Sequence, residues 1–192
     1  LRRAMELTGR ESLAGQARPE LGIVMVTVPP AQGYSSRMKR YLPHEITHLL
    51  LYRLMTPGGY GYVPTWLNEG LATANERLPT PEYALALEEA REAGELLPLE
   101  ELCVPFSPDP ETATLSYAQS GSVVTFIRET YGETGIRQLL EAYEDGASCT
   151  SGVEEGLGVA FSELDADWRM SLNPQSEWLP IVREKAVAMM MD

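Results

Sequence analysis

The chain of 192 residues has little of several residue types and patterns on which common protein sites depend. It contains two histidines and two cysteines, and its apolar residues never run for the roughly eighteen positions that a membrane span needs. Cys103 and Cys149 lack the C-x-x-C spacing of a redox motif or a cysteine metal site. They fit one disulfide in an exported protein and two small buried thiols equally well. We therefore expect no membrane span and no cysteine-bound metal in this chain.

Basic residues are also scarce, with 15 Lys and Arg against 28 Asp and Glu and a net charge of −13. Residues 1–43 hold seven basic against three acidic side chains, so the rest of the chain carries eight against twenty-five. Such an acidic body argues against a nucleic-acid partner, which needs a basic footprint. We interpret the most acidic run, residues 82–101, as a solvated helix face; a site that prefers basic substrates is the alternative.

Internal repeats, heptads and low-complexity tracts are absent too, which sets aside repeat and coiled-coil architectures. A chain of this length with 44% apolar residues can bury one core. We expect a single domain over 1–192, with a core at about 21–172 and a C-terminal extension at 173–192. Because the sequence begins at Leu1 without a methionine, we expect an excised domain or a processed product. The compartment stays open; an extracytoplasmic or membrane-anchored full-length protein fits this expectation.

The only two histidines lie four residues apart around a glutamate, in the segment His44-Glu45-Ile46-Thr47-His48. Residues i and i+4 of an α-helix lie on one face, so both imidazoles can bind a single ion. Glu45 follows the first histidine directly, where its carboxylate can reach a metal-bound water and act as general base. The alternative is a helix with two ordinary polar histidines, a pattern that arises by chance in well under about one chain in a hundred of this length.

A third ligand is needed, because a catalytic zinc ion takes three protein ligands and keeps one position open. Glu69 follows His48 after twenty residues, in a segment that begins with Pro64, a residue suited to the first turn of a helix. The Gly-rich loop over 56–63 can fold this second helix back toward the first. His44, His48 and Glu69 are therefore the predicted ligands of one Zn²⁺ ion per chain.

The segment Trp66-Leu67-Asn68-Glu69-Gly70-Leu71-Ala72 resembles the third-ligand helix of gluzincin metallopeptidases, the group that includes thermolysin and the aminopeptidase N-like enzymes. The resemblance covers residues 37–172 and is greatest to the peptidase MA-like branch. It implies an α+β, predominantly helical fold: a zincin-like metallopeptidase catalytic domain with a small N-terminal β element. The G-A-M-E-N motif of the aminopeptidases has no match in residues 21–43, so that activity is not implied.

Tyr117 lies in Ser116-Tyr117-Ala118-Gln119-Ser120, which resembles the downstream helix of the same branch, where a tyrosine lies near the metal. The resemblance implies that Tyr117 stabilises the oxyanion formed during hydrolysis. The alternative is a core tyrosine with a satisfied hydroxyl. Thermolysin-like enzymes also carry an aspartate four residues after the third ligand, which orients a zinc histidine; Thr73 stands there in this chain. Asn75, Glu76 or a backbone carbonyl are the candidates to replace it.

The local sequence predicts one strand and several helices. The strand covers residues 21–28 and stops at two prolines, and the metal helix covers 37–54. Further helices are predicted from Pro81 to near Gly94, over 116–129 and 133–144 with Gly132 between them, and over 162–172. Residues 146–152 are predicted as a turn. The proline-rich loop over 96–111 is either a connector or an element that selects substrates.

These observations predict a zinc-dependent peptidase that acts on a peptide or protein substrate, with Glu45 as general base. Two alternatives remain. One is a zinc-stabilised binding module that has lost turnover, which a cleft blocked by the loop over 96–111 would favour. The other is a zinc hydrolase of a non-peptide amide or ester, since the same Lewis-acid chemistry serves any polarised carbonyl.

Overall fold

Helices make up most of the chain, with a two-stranded hairpin at its N-terminal side. The computed structural model describes residues 15–27, 34–56, 58–78 and 80–173. This architecture confirms the predicted α+β, predominantly helical class with a small N-terminal β element. The predicted C-terminal extension after Asn173, and the end of the predicted strand at Val28, lie outside the described residues. No helix among those described is long and apolar enough to cross a membrane.

The hairpin pairs β1 (Gly15–Arg18) with β2 (Ile23–Val26) in antiparallel register, with Gly15 opposite Val26. A 3₁₀ turn over Pro19–Leu21 joins the strands, and Gly22 closes it with a φ of 66°. The predicted single strand over 21–28 was therefore wrong at its start, because Leu21 belongs to this turn. The sequence Gly-Gln-Ala-Arg of β1 contains no β-branched residue, so local preference does not reveal it.

Helix α1 (Tyr34–Leu54) starts before the predicted residue 37 and contains Pro43 in its interior. A proline has no N–H, so the carbonyl of Lys39, four residues earlier, has no helical donor from that position. That carbonyl instead accepts the backbone N–H of Arg77 at 3.1 Å. The carbonyl that Pro43 leaves without a helical donor thus binds the chain segment that follows the next helix.

Helix α2 (Thr65–Ala74) begins directly after Pro64, as predicted, and packs between α1 and a long helix, α4 (Pro110–Glu144). The buried contacts between α2 and α4 include Trp66, Leu67, Val123 and Ile127, all fully inaccessible to solvent. α4 begins earlier than the predicted residue 116, where the Asp109 carboxylate accepts the N–H of Thr112. Burial on both sides makes α2 a rigid support for its polar residues.

Helix α3 (Pro81–Ala93) ends at Gly94 with a φ of 73°, as predicted. All seven glutamates in residues 82–101 are exposed, which agrees with a solvated face. Gly132, with a φ of 68°, interrupts α4 at the predicted position. The last two helices of the described residues are α5 (Ser151–Leu157), which the predicted turn over 146–152 did not foresee, and α6 (Phe161–Ser171).

A disulfide joins Cys103, at the end of a 3₁₀ turn over Leu99–Cys103, to Cys149 in the turn after α4. Both cysteines pack against the main hydrophobic core, which also contains Tyr143 and Trp168. The sequence did not decide between a disulfide and two buried thiols, and the structure contains the disulfide. It ties the loop before α4 to the far end of that helix.

Candidate metal centre

Two imidazoles of α1 face the same side of the helix, because His44 and His48 are one turn apart. Their ring centroids are 5.0 Å apart and the rings are inclined by 76°. Both residues are almost buried, with 9% and 8% of their surface exposed. The helix therefore presents two nitrogen atoms side by side in a site that is largely shielded from water.

Glu69 of α2 completes this pair from the opposite side. Its Oε2 atom lies 3.3 Å from Nε2 of His44 and 3.5 Å from Nε2 of His48. One ligand atom from each of the three residues lies within 4.8 Å of the other two. The structure thus brings the three predicted ligands into one cluster.

The charges of the cluster are strongly coupled. Burial disfavours the imidazolium of His44, but hydrogen bonds with Glu69 and Glu76 outweigh it and raise its pKa to about 9. Burial also opposes ionisation of Glu69, yet hydrogen bonds from both histidines lower the pKa of that carboxyl to about 2. Without an ion, the anionic Glu69 carboxylate therefore favours the protonated form of the His44 imidazole. A divalent cation would replace the positive charge of that imidazolium.

The second nitrogen of His44 is held by Glu76, since Nδ1 lies 3.1 Å from Glu76 Oε1. The other oxygen of this carboxylate accepts the hydroxyl of Thr80 at 3.2 Å. Glu76 is thus the partner among the three candidates that the sequence left open. Asn75 donates instead to Thr47 Oγ1 at 3.2 Å, which braces α2 against α1. A carboxylate on Nδ1 keeps Nε2 free to bind a metal.

The second nitrogen of His48 is held by Asn68, whose Oδ1 lies 2.9 Å from Nδ1. The amide nitrogen of Asn68 donates to the hydroxyl of Tyr60 at 3.0 Å. Sequence reasoning missed both residues. The available signal was that Asn68 directly precedes Glu69 on a helix that is otherwise mostly apolar, so a polar side chain there needs a partner.

Glu45 is buried beside the cluster, with 7% of its surface exposed. It accepts the backbone N–H of Ala17 from β1, and Gly15 of the same strand lies against its side chain. Burial raises the pKa of Glu45, and the neighbouring imidazoles oppose that rise. A carboxylate with a raised pKa next to a cluster of metal-binding type is suited to accept and return a proton.

Tyr117 of α4 faces the cluster from the side of His44, with 6.2 Å between the two ring centroids. Its ring lies nearly parallel to that of Tyr83 at 6.1 Å and meets Phe106 edge-on at 5.1 Å. Phe106 belongs to the loop over 96–111, so this loop reaches the wall of the site. The aromatic contacts fix the plane of the Tyr117 ring.

A cavity of about 270 Å³ opens above the donor atoms. Its walls come from β1 and the turn after it, α1, the turn over Gly59–Tyr62, α2 and α4. Its lining residues are Gly15, Gln16, Ala17, Pro19, His44, Glu45, His48, Tyr60, Asn68, Glu69 and Tyr117. Within the described chain, no residue of the loop over 96–111 lines this cavity, so the loop does not block it.

The donor set fits a catalytic divalent metal site. Two imidazole nitrogens and one carboxylate oxygen are an established set for zinc, and the cavity leaves room for a fourth ligand from solvent or substrate. Each imidazole also has the hydrogen-bonded partner on its outer nitrogen that zinc histidines nearly always have. His44, His48 and Glu69 are thus suited to hold such an ion without rearrangement.

Comparison with known families gives one assignment. A family model described as Peptidase MA superfamily matches residues 4–174, which is most of the chain. Searches of curated proteins and of solved structures gave no match. The match spans the whole cluster, from β1 to Tyr117.

Proposed function

Because this chain belongs to the peptidase MA superfamily, we propose that it is a zinc-dependent peptidase of gluzincin type. In this proposal His44, His48 and Glu69 bind one Zn²⁺ ion, Glu45 is the general base and Tyr117 stabilises the oxyanion. The observation that carries it is the convergence of three donor atoms within 4.8 Å of one another on a cavity that also contains a buried carboxylate.

Zinc, when bound, lowers the pKa of a coordinated water and polarises the carbonyl of the peptide bond. Glu45 accepts the proton that the attacking water loses and passes it to the nitrogen of the leaving amine. The backbone N–H of Ala17 keeps the Glu45 carboxylate on the cavity side. Tyr117 donates the hydrogen bond of its phenol to the oxygen of the carbonyl as it becomes negative.

The binding-module alternative receives less support from the geometry. Residues of the loop over 96–111 leave the cavity open among the described residues. Glu45, the candidate general base, is also present. It is buried, and its side chain contacts β1. A zinc hydrolase of a non-peptide amide or ester would use the same residues, and substrate profiling with matched peptide and ester compounds separates it from a peptidase.

The proposed partner is a peptide or protein substrate, and the cavity accepts it as an extended segment beside β1. The disulfide between Cys103 and Cys149 favours an oxidising compartment, such as the periplasm or the cell exterior. An extracytoplasmic location is therefore part of the proposal. The acidic body of the chain continues to argue against a nucleic-acid partner.

The test is zinc content per chain by elemental analysis, with Glu69→Ala as the comparison. We expect about one zinc ion in the unaltered protein and a large loss in the variant, because two imidazoles alone hold zinc weakly. Circular dichroism of both proteins shows whether the fold is retained. An unaltered chain that takes up no zinc, even after incubation with the metal, would overturn the proposal.

A further inference from the structure

The outer nitrogens of the two histidines have chemically different partners. His44 has a carboxylate, Glu76, and either oxygen of a carboxylate accepts a proton donor. His48 has an amide, Asn68, which has an acceptor at one end and a donor at the other. Only the amide has to be oriented correctly, since the wrong end would meet the imidazole with an N–H.

The orientation of the Asn68 amide decides which nitrogen of His48 is free. Oδ1 lies 2.9 Å from Nδ1, where it can accept a hydrogen bond from the ring, and Nε2, 3.5 Å from Glu69 Oε2, is the nitrogen that faces the cluster. With the amide reversed, its N–H would face Nδ1, and the neutral ring would carry its proton on Nε2. That tautomer has no lone pair for a metal at the cluster.

Tyr60 supplies the contact that holds the outer end of this amide. Its hydroxyl oxygen lies 3.0 Å from Nδ2 of Asn68 and 3.5 Å from Oδ1, so it lies nearer the donor end of the amide. The ring of Tyr60 packs edge-on against Tyr52, at 5.4 Å between centroids. Its 3₁₀ turn is attached to the rest of the chain at Thr56, whose N–H bonds the carboxylate of Glu144. The Tyr60 hydroxyl therefore lies on a turn whose position is fixed by these two contacts.

We infer that Tyr60 is a positioning residue of the metal centre: its hydroxyl accepts from Asn68 and thereby holds in place the amide that contacts Nδ1 of His48. The inference rests on the proposed function, in that it takes zinc as the ion. It adds a residue outside the metal-binding segments, in a glycine-rich turn that has no metal-binding motif of its own.

The first experiment measures the dissociation constant of Zn²⁺ by competition with a chromophoric chelator. Tyr60→Phe keeps the ring and removes the hydroxyl, so we expect zinc binding to weaken by about tenfold, the lower end of what loss of such outer partners costs. Tyr62→Phe is the matched control, since Tyr62 lies in the same turn with 59% of its surface exposed. It should bind zinc like the unaltered protein, and thermal unfolding should show both variants folded.

The second experiment separates action through the amide from simple loss of packing. Asn68→Ala removes the amide through which Tyr60 is inferred to act. In that background, adding Tyr60→Phe should change the dissociation constant by less than about twofold. An equal loss in both backgrounds would overturn the inference, because Tyr60 would then act through structure alone.

The outcomes separate this inference from the proposed function. If the unaltered chain binds zinc and Tyr60→Phe binds it equally well, the inference is wrong and the proposed metal site stands. If the unaltered chain binds no zinc, the proposed function fails, and the inference fails with it. The cobalt-substituted protein adds a direct readout, since a change of ligand geometry at His48 alters its visible absorption.

Discussion

Gly15 of β1 lies against the side chain of Glu45, so close that a Cβ atom at residue 15 would stand 2.8 Å from Glu45 Cγ. Only a glycine leaves the proposed general base in its present place, since real Cβ atoms do not approach other atoms this closely. β1 and α1 are thus fitted to each other at the carboxylate of Glu45. This contact explains why a strand of weak β preference borders the cavity.

Gly15→Ala should therefore move the Glu45 carboxylate without unfolding the protein, because the atoms that must yield belong to a flexible side chain. We expect peptidase turnover to fall by about tenfold to a hundredfold, as misplacement of a catalytic group by about 1 Å does. Zinc content should stay at its original value. Gly61→Ala is the control, since a Cβ atom there meets no other atom within 4 Å. Full activity of Gly15→Ala would show that the contact does not position Glu45.

Glu45→Gln should abolish turnover while zinc and fold are retained. The amide keeps the size of the side chain but cannot accept the proton of the attacking water, and general base catalysis typically contributes about 10² to 10⁴ in rate. The measurement is hydrolysis of a fluorogenic peptide mixture, together with zinc content and thermal unfolding. Normal turnover by this variant on any peptide substrate would exclude Glu45 as the base.

Tyr117→Phe tests the proposed oxyanion donor. We expect kcat to fall by about 10²- to 10³-fold with little change in KM, which is the usual result of removing one such donor. Tyr83→Phe serves as control, because it removes a hydroxyl from the adjacent ring while it keeps the ring that stacks on Tyr117. A loss of similar size in both variants would indicate that the aromatic packing, rather than the phenol of Tyr117, matters for turnover.

The disulfide should contribute to stability. It closes a loop of 46 residues between Cys103 and Cys149, for which chain entropy predicts about 4 kcal/mol of stabilisation. Reductant should therefore lower the midpoint of urea unfolding of the oxidised protein. A variant with serine at both positions should show the lower midpoint with and without reductant. An unchanged midpoint in fully reduced, unaltered protein would contradict this prediction.

The clustering of His44, His48 and Glu69 was predictable because its geometry is mostly local. His44 and His48 share a helix face because they are four residues apart, and Glu69 lies on a helix that begins directly after Pro64, beyond one short loop. The outer partners were not predictable in the same way. Asn68 faces His48 only because α2 packs against α1 at a particular rotation, and Tyr60 reaches Asn68 through an irregular turn.

The hairpin was also difficult to predict from the sequence. Residues 15–18 carry no strand pattern, and their position beside Glu45 depends on pairing with β2 and on the approach of both strands to α1. The helix ends at Gly94 and Gly132 were predicted correctly, because glycine readily adopts the positive φ angles found there. α5 was missed because its first residues, Ser151 and Gly152, read as part of a turn.

Pro43 has a cost that bears on any attempt to engineer this protein. A proline inside a helix is about 3 kcal/mol less favourable than alanine, so Pro43→Ala is an attractive substitution for thermostability. Alanine, however, supplies an N–H that competes with Arg77 for the carbonyl of Lys39. Arg77 is the neighbour of Glu76, so a helix with that hydrogen bond restored would release the segment that contacts His44. Here a stronger helix and the alignment of the proposed metal site are opposing demands on one residue.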